Sequence, residues 1–295
     1  MKFIPPVALL VSFLAAAAMG QTSPAPMSPT VPDIPYAQPA NPRQMLDVYS
    51  PAEGENLPVV FWIHGGGWQG GDKSSIQNKP AAFVAKGYVF VSVSHRFVPT
   101  VPMKSIVEDV AQGIAWVHKN IRQHRGDPER LFVMGHSSGA QLAALICTDE
   151  SYLEAAGVPF SILKGCVPVD GDTFDIPLQV ATAQARRKSL GQPNAKFGHP
   201  EKFGPHDLQQ HYSAVNHIRA GKGIPPFLIL HVADHADTTA QANRLASTLT
   251  AAGIPAQAFG AEDTDHGRIN HNLGLPDDLG SKLIFEFLQR HTPSR

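Results

Sequence analysis

The sequence predicts an α/β fold, in which a mostly parallel central sheet is covered by helices on both faces. Short apolar runs rich in β-branched residues alternate along the chain with stretches of helical periodicity, which is the pattern of parallel strands joined by helices. One apolar run, 131–134, leads into a Gly-x-Ser-x-Gly turn, and a helix-forming run, 140–146, leaves it. The 295 residues, 43% of them hydrophobic and 17% charged, suffice for one large α/β domain or two small ones.

The strands and helices follow in order from these two periodicities. The predicted strands are 45–49 at the edge of the sheet, 57–64, 88–94, 131–134, 162–169, 226–231 and 255–260. The predicted helices are 77–86, 106–121, 140–146, 242–253 and 279–288. Apolar residues recur every three or four positions from Ile106 to Ile121, so they form a stripe that faces the core. Between about 172 and 216 this rhythm fades, and we expect an insertion that acts as a cap or lid.

The N-terminus predicts export. Lys2 is followed by an apolar run from Phe3 to Ala18, too short to span a bilayer comfortably, and small residues favour cleavage after Gly20. We therefore expect a signal peptide at 1–20 and a periplasmic or secreted protein; a retained membrane anchor is the alternative. Residues 21–42 are rich in proline and predict an extended linker. The folded domain is expected to cover 43–295.

The net charge limits the classes of binding partner, and the cysteine content limits the possible disulfides. The net charge of −1 and the pI near 6.9 provide no global field for nucleic acid or an anionic membrane. We expect neither as a partner once the signal peptide is cleaved, and the sequence leaves the oligomeric state open. Cys147 and Cys166 lie in apolar surroundings and are expected to be buried; a bridge between them stays open.

The turn after the run 131–134 predicts a nucleophile. Its sequence is Gly135-His136-Ser137-Ser138-Gly139. Such a turn projects the serine oxygen above the sheet edge, and its glycines are needed because a Cβ would collide with a neighbouring strand or helix. Only Ser137 has a glycine two places away on each side. Ser137 is therefore the candidate nucleophile.

A glycine run after an earlier strand predicts an oxyanion hole. The strand 57–64 ends in His64-Gly65-Gly66-Gly67-Trp68, where backbone N–H groups can approach a developing negative charge without interference from side chains. We expect the amides of Gly66 and Gly67 to be joined by that of Ser138, directly after the nucleophile. Trp68 is expected to contact substrate.

A histidine and an aspartate complete the predicted catalytic set. His266 follows the last predicted strand and is expected to act as the base; His271 is its nearest competitor. The orienting acid is expected on the loop after 226–231, with Asp237 preferred and Asp234 as the alternative. The apolar run 162–169 ends in Asp170-Gly171-Asp172, after which the predicted insertion follows.

Two further groups of polar residues are expected to have no catalytic role. The insertion carries basic residues that are expected to form a solvated helix face: Arg186, Arg187, Lys188, Lys196 and Lys202. Contact with an acidic group of the substrate is the alternative. The loop with the candidate acids also resembles a metal-binding cluster through His231, Asp234, His235 and Asp237. Neighbouring residues at a strand end point in different directions, so no metal and no cofactor are expected.

Three motifs in this order resemble those of the bacterial α/β-hydrolases of the feruloyl-esterase-like and carboxylesterase-like group. These enzymes share their oxyanion glycines with relatives of hormone-sensitive lipase. The motifs are His64-Gly65-Gly66-Gly67-Trp68, Gly135-His136-Ser137-Ser138-Gly139 and Asp265-His266-Gly267-Arg268-Ile269-Asn270, and the resemblance covers roughly 45–290.

The resemblance implies an α/β-hydrolase catalytic domain with Ser137 as nucleophile, His266 as base, and the Gly66, Gly67 and Ser138 amides as oxyanion hole. Many relatives have alanine in place of Ser138, which leaves a backbone donor unchanged. The position of the strand end favours Asp234 as the acid, whereas the run Asp237-Thr238-Thr239 resembles the family's Asp-Thr turn.

We therefore expect an exported serine esterase that hydrolyses carboxylic esters through an acyl-enzyme and needs no cofactor. Acetyl or feruloyl esters, as small molecules or attached to plant polysaccharide, are the expected substrates. One alternative is an arylformamidase, another amidase or a peptidase that uses the same triad. The other is a non-catalytic binding protein that has kept the fold.

Overall fold

An eight-stranded sheet forms the centre of the structure, a computed structural model that describes residues 27–193 and 198–292. The strands are β1 (Val31–Pro35), β2 (Met45–Tyr49), β3 (Leu57–Ile63), β4 (Val89–Val93), β5 (Gly126–His136), β6 (Leu163–Val169), β7 (Phe227–Val232) and β8 (Ala256–Ala261). They lie in the order β1-β2-β4-β3-β5-β6-β7-β8. The first two are antiparallel to their neighbours, and the other six are parallel. The predicted α/β architecture is confirmed.

Helices cover both faces of the sheet. The α-helices are α1 (Lys79–Ala85), α2 (Met103–Asn120), α3 (Ser138–Ile146), α4 (Ser151–Ala155), α5 (Ile176–Ser189), α6 (His199–Phe203), α7 (His206–His211), α8 (Ala236–Ala251), α9 (Arg268–His271) and α10 (Leu279–His291). Short 3₁₀ helices lie at Ile121–His124, Phe160–Ile162 and Ala214–His217. No helix among the described residues is long and apolar enough to cross a bilayer.

Two apolar layers hold this arrangement together, because side chains of a strand alternate between the two faces of the sheet. Phe61 and Val133 belong to the layer beneath α2, α3 and α8, whereas Trp62 and Phe132 belong to the layer beneath α1 and α10. The apolar stripe predicted along α2 is buried as expected: its residues are at most 1% exposed, at Ile106, Val110, Ile114, Val117 and Ile121. Each such side chain stabilises the fold by roughly 1.5–3 kcal/mol.

The predicted linker is partly ordered, which corrects the sequence analysis. Strand β1 lies within 21–42 and pairs with β2, so β2 is not the edge strand. Polar contacts explain this pairing: the Asp33 N–H donates to Asp47 Oδ1 at 2.8 Å, and Lys73 Nζ lies 2.8 Å from a carboxylate oxygen of each aspartate. The predicted signal peptide, 1–20, lies outside the described residues.

The two cysteines are free thiols. Cys147 and Cys166 are both buried and unbridged. Burial raises the pKa of Cys166 well above its usual value, so this thiol stays protonated.

Helices α5, α6 and α7 lie between β6 and β7, in the region where the sequence predicts a cap. Polar contacts tie the first of them to α8. Asp175 caps α5 by accepting the Leu178 N–H, and its other carboxylate oxygen accepts from Arg244 Nε at 3.1 Å. An ion pair between Arg186 and Asp237 adds a second tie between the two helices.

Candidate active site

Ser137 lies at a strained turn between β5 and α3. Its backbone has φ 56° and ψ −120°, a left-handed region that non-glycine residues rarely adopt. The turn is held because the Ser137 N–H donates to the carbonyl of Val169 on the neighbouring strand at 2.9 Å. This geometry lifts the side chain above the carboxyl end of β5.

The glycines of this turn are required by close backbone contacts. A Cβ on Gly135 would overlap the carbonyl of Gly139, and a Cβ on Gly139 would overlap the carbonyl of Ile63 and approach that of His64 to 2.6 Å. These contacts agree with the collision expected from the motif.

Three side chains form a continuous hydrogen-bonded series at this turn. Ser137 Oγ lies 3.0 Å from His266 Nε2, and His266 Nδ1 lies 2.6 Å from Asp170 Oδ2. His266 reaches the serine from the loop between β8 and α9, whereas Asp170 directly follows β6. The arrangement suits proton transfer, because a carboxylate on Nδ1 keeps the hydrogen there and leaves Nε2 free to accept the serine proton.

Asp170 is fixed in place from both sides. Its Oδ1 accepts the Val232 N–H at 2.9 Å, and its side chain is fully buried. Burial alone would raise the pKa of Asp170, but hydrogen bonds from His266, Val232 and Thr238 outweigh it and lower this pKa. Asp170 is therefore a buried carboxylate that stays ionised.

His266 is held as a stronger base than an ordinary histidine. The hydrogen bond to Asp170 raises the pKa of His266, and burial opposes that shift. About half of its side chain (49%) remains exposed, so a substrate can reach Nε2.

The structure corrects the predicted acid. Asp237 lies in the first turn of α8 and pairs with Arg186. Burial alone would raise the pKa of Asp237, but the contact with Arg186 contributes to a net lowering of this pKa. Asp234 is exposed on the loop before α8. Helix α8 begins at Ala236, six residues before its predicted start, because His235 Nδ1 caps it by accepting the Thr238 N–H. Asp237 is thus part of a helix rather than a free loop.

Sequence reasoning missed Asp170 although a signal was present. The apolar run of β6 ends directly in Asp170, and the carboxyl ends of parallel strands meet at one edge of a sheet. Strand β6 is hydrogen-bonded to β5, the strand that carries Ser137. That adjacency is a property of strand order, which the sequence does not display.

His136 contacts the loop of His266 from the serine turn itself. Its Nε2 lies 2.9 Å from the backbone oxygen of His266, and the two ring centroids are 4.5 Å apart. Burial lowers the pKa of His136 to about 3. His136 is therefore neutral at ordinary pH and holds the loop of His266 by a hydrogen bond rather than by charge. His271, the alternative base, is exposed and has no part in this series.

The glycine run lies against the serine turn. A Cβ on Gly65 would approach the Cβ of Ser137 to 3.1 Å. Gly66 and Gly67 both have positive φ, 132° and 62°, as a tight turn requires. Within 27–193 and 198–292, the N–H groups of Gly66 and Gly67 donate to no other group.

The expectation that Trp68 contacts substrate does not agree with its position. Its side chain is only 3% exposed, and its Nε1–H donates to Gln141 Oε1 at 3.1 Å. Phe203 packs edge-on against its ring, with 4.8 Å between the centroids. Lys202, one of the basic residues expected on a solvated face, is half-buried with Nζ 5.4 Å from the Trp68 ring centroid. Trp68 supports α6 of the insertion.

The residues of the metal-like cluster on the β7–α8 loop have separate partners. His231 Nδ1 lies 3.0 Å from Thr239 Oγ1, and His235 caps α8. Asp237 is paired with Arg186. These contacts give His231, His235 and Asp237 structural roles, whereas Asp234 is exposed.

Comparisons with known proteins agree with this arrangement. Residues 46–249 match the model of the BD-FAE family. Carboxylesterase NlhH of Mycobacterium tuberculosis (strain ATCC 25618 / H37Rv) is 26% identical over 234 residues, which cover 77% of this chain and 72% of that protein. The probable isoprenylcysteine alpha-carbonyl methylesterase ICMEL1 of Oryza sativa subsp. japonica is 38% identical over 108 residues, 36% of this chain. That match spans only 25% of the methylesterase's length.

Solved structures show the same fold. A truncated form of a carbohydrate esterase from gut microbiota superposes with a TM-score of 0.72 at 20% identity, covering 92% of this chain and 99% of that one. The apo form of Thermogutta terrifontis esterase 2 gives a TM-score of 0.69 at 22% identity, with 91% and 98% covered. The names of these proteins agree with the expectation of an ester hydrolase. With the matched region and the fold together, the chain belongs to the BD-FAE family and has the α/β-hydrolase fold that its motifs predicted.

Proposed function

We propose that this chain is a serine hydrolase that cleaves carboxylic esters through an acyl-enzyme, with Ser137 as nucleophile, His266 as base and Asp170 as the orienting acid. The hydrogen-bonded series at the strained turn carries this proposal: 3.0 Å from Ser137 Oγ to His266 Nε2 and 2.6 Å from His266 Nδ1 to Asp170 Oδ2. A serine becomes a nucleophile when one imidazole nitrogen accepts its proton while the other nitrogen is held by a carboxylate.

The roles follow from this geometry. Ser137 Oγ attacks the ester carbonyl carbon while its proton moves to His266 Nε2, and the carbonyl π electrons move onto the oxygen. Asp170 stabilises the imidazolium that forms. The tetrahedral intermediate collapses, the C–O bond to the alcohol breaks, and the leaving alkoxide takes the proton from Nε2. Water then attacks the acyl-serine by the same proton transfers and releases the acid.

The oxyanion is proposed to bind the N–H groups of Gly66, Gly67 and Ser138. Gly66 and Gly67 present N–H groups without a partner among the described residues, and their turn touches that of Ser137. Ser138 begins α3, so its N–H lies among the unpaired donors at the positive end of the helix. Such donors stabilise a developing oxyanion, and each is worth on the order of 10²–10³ in rate.

We propose acetyl or feruloyl esters, including those on plant polysaccharide, as the substrate class. The motifs shared with feruloyl-esterase-like enzymes support this choice, as does the carbohydrate esterase whose fold this chain shares. Related proteins named carboxylesterase and methylesterase favour esters over amides.

The test is a substrate panel. The whole chain is assayed on acetyl, butyryl and feruloyl esters and on anilides of the same acyl groups, with Ser137→Ala as the blank and exposed Ser161→Ala as the matched control. We expect ester turnover that Ser137→Ala abolishes and Ser161→Ala preserves. Faster anilide turnover would instead support an amidase, and absence of both turnover and fluorophosphonate labelling at Ser137 would support a binding role.

We also propose that the chain is exported and that 1–20 are removed, on the basis of the apolar N-terminal run alone. Expression of the full chain in a bacterium, followed by fractionation and N-terminal mass analysis, tests this. A product that begins at Gln21 outside the cytoplasm is expected. An intact N-terminus in the cytoplasmic fraction contradicts the proposal.

A further inference from the structure

We propose a transition-metal site, formed by Asp149, His211 and His217, that uses none of the catalytic residues. One carboxylate oxygen and one nitrogen from each imidazole lie within 4.8 Å of one another. Three protein ligands of this kind can surround a single ion after small side-chain rotations, because bonds from Zn²⁺ to such ligands are about 2.0–2.2 Å long.

The tautomer of His217 is the first support. Its Nε2 lies 2.7 Å from the backbone oxygen of His211. A carbonyl oxygen only accepts, so Nε2 carries the hydrogen, and in a neutral ring Nδ1 then presents a lone pair. That Nδ1 lies 3.5 Å from Asp149 Oδ2. Two acceptors face each other, which requires either a proton or a cation between them.

Asp149 likewise has one carboxylate oxygen held by the protein and one left for a ligand. Its Oδ1 accepts both the N–H of Ser151, at 3.1 Å, and the Ser151 hydroxyl, at 2.7 Å. Only Oδ2 then remains for a ligand. The side chain is 7% exposed, and a buried carboxylate oxygen is costly without a cation or a donor beside it.

The His211 ring is also oriented by a protein oxygen. Its Nε2 lies 3.0 Å from the hydroxyl of Tyr152. In the tautomer that donates the Nε2 hydrogen to this hydroxyl, Nδ1 presents a lone pair to a metal ion. In each of the three residues, an atom other than the proposed ligand atom thus contacts a protein oxygen or nitrogen. Partners of this kind commonly fix the orientation of metal ligands.

The donor set selects the class of ion. Two imidazole nitrogens and one carboxylate oxygen suit Zn²⁺, Co²⁺, Ni²⁺ or Cu²⁺ rather than Mg²⁺ or Ca²⁺, which prefer oxygen ligands alone.

Lys222 carries a positive charge near the proposed site: its Nζ donates to the backbone oxygens of His217 and Thr148. Its charge is balanced because it also pairs with Glu150.

The location gives the site a structural role. Asp149 follows α3, directly downstream of the serine turn, whereas His211 ends α7 of the insertion and His217 ends the next 3₁₀ helix. A bound ion would therefore connect the last part of the insertion to the main domain. The Arg186–Asp237 ion pair already connects the first part, helix α5, to α8. It would stabilise the folded insertion by mass action.

Calorimetric titration of Zn²⁺ into the untagged whole chain, freed of metal with a chelator, tests the proposal. The variants are Asp149→Asn and His217→Gln, and the matched control is His206→Gln, an exposed histidine at the other end of α7. Wild type and the control are expected to bind one equivalent, with an affinity loss of more than tenfold in each ligand variant. Co²⁺ absorption, intense in a four-coordinate site, provides an independent readout.

Two results overturn the proposal. One is the absence of saturable Zn²⁺ binding by wild type at micromolar concentrations, which would leave a protonated His217 paired with Asp149. The other is binding that survives in both ligand variants, which would assign it to other histidines. Neither result bears on ester hydrolysis, which is measured separately.

Discussion

The exchange of Asp170 for asparagine separates the acid found in the structure from the one expected from the sequence. In Asp170→Asn, two amide orientations are available. If the new NH₂ faces His266, it donates to Nδ1 and forces the hydrogen onto Nε2, so Nε2 cannot accept the Ser137 proton. If the new oxygen faces His266, the NH₂ confronts the Val232 N–H that now donates to Oδ1 at 2.9 Å. Both orientations damage the site.

The magnitude follows from the loss of the correct tautomer and of the charge beside the imidazolium. In a serine protease the same exchange costs on the order of 10⁴ in kcat, which corresponds to about 5.5 kcal/mol of transition-state stabilisation. The matched variant Asp237→Asn weakens the contacts of Asp237 with Arg186 and Gln179 at the start of α8. Asp237 is not one of the residues in the Ser137–His266–Asp170 series, so we expect less than a tenfold change in kcat/KM.

The assay is kcat/KM for 4-nitrophenyl butyrate, with Ser137→Ala as the blank and thermal unfolding as the check that each variant is folded. The reasoning is refuted if folded Asp170→Asn keeps more than a tenth of the activity. It is also refuted if Asp237→Asn loses a thousandfold.

Three further predictions concern pH and packing. Because the hydrogen bond to Asp170 raises the pKa of His266, kcat/KM is expected to rise through a pKa above 6.5, and Asp170→Asn should lower that apparent pKa, as a pH–rate profile will show. Gly139→Ala places a Cβ against backbone carbonyls of the neighbouring strand, so we expect the free energy of unfolding to fall by about 3 kcal/mol and the Tm by roughly 6–12 °C. In the control Gly70→Ala, the new Cβ approaches the Gly66 carbonyl oxygen only to 3.9 Å, so thermal unfolding should change little. Burial lowers the pKa of Lys79 to about 7. The unfolded chain thus holds a proton that the folded chain releases, and from pH 7 to 9 the unfolding free energy in urea should rise by about 2 kcal/mol relative to Lys79→Met; equal pH dependence in both proteins would contradict this.

The patterns that were predictable are contiguous in the chain. Alternating apolar runs indicate a parallel sheet covered on both faces, because a strand buried on both sides must be apolar throughout. The glycines around Ser137 and the histidine after the last strand are likewise local, since a tight turn or a loop depends on a few adjacent residues. The observed positions of Ser137, the glycine run and His266 agree with these expectations.

The features that were missed depend on which segments meet in space. Asp170 contacts His266 across 96 residues because β6 lies beside β5, and the prolines of 21–42 gave no hint that Asp33 and Asp47 share Lys73 across two strands. Trp68 is buried because α6, more than a hundred residues later, packs on it.

The sequence by itself determined the fold class, the strained serine turn and the candidate base, because each is encoded by neighbouring residues whose backbone and burial requirements are local. Only the tertiary structure decided the acid, the edge of the sheet and the juxtaposition of Asp149 with His211 and His217. These features depend on strand order and on the packing of the insertion. The residues that make such contacts are far apart in the chain, so no local sequence pattern links them.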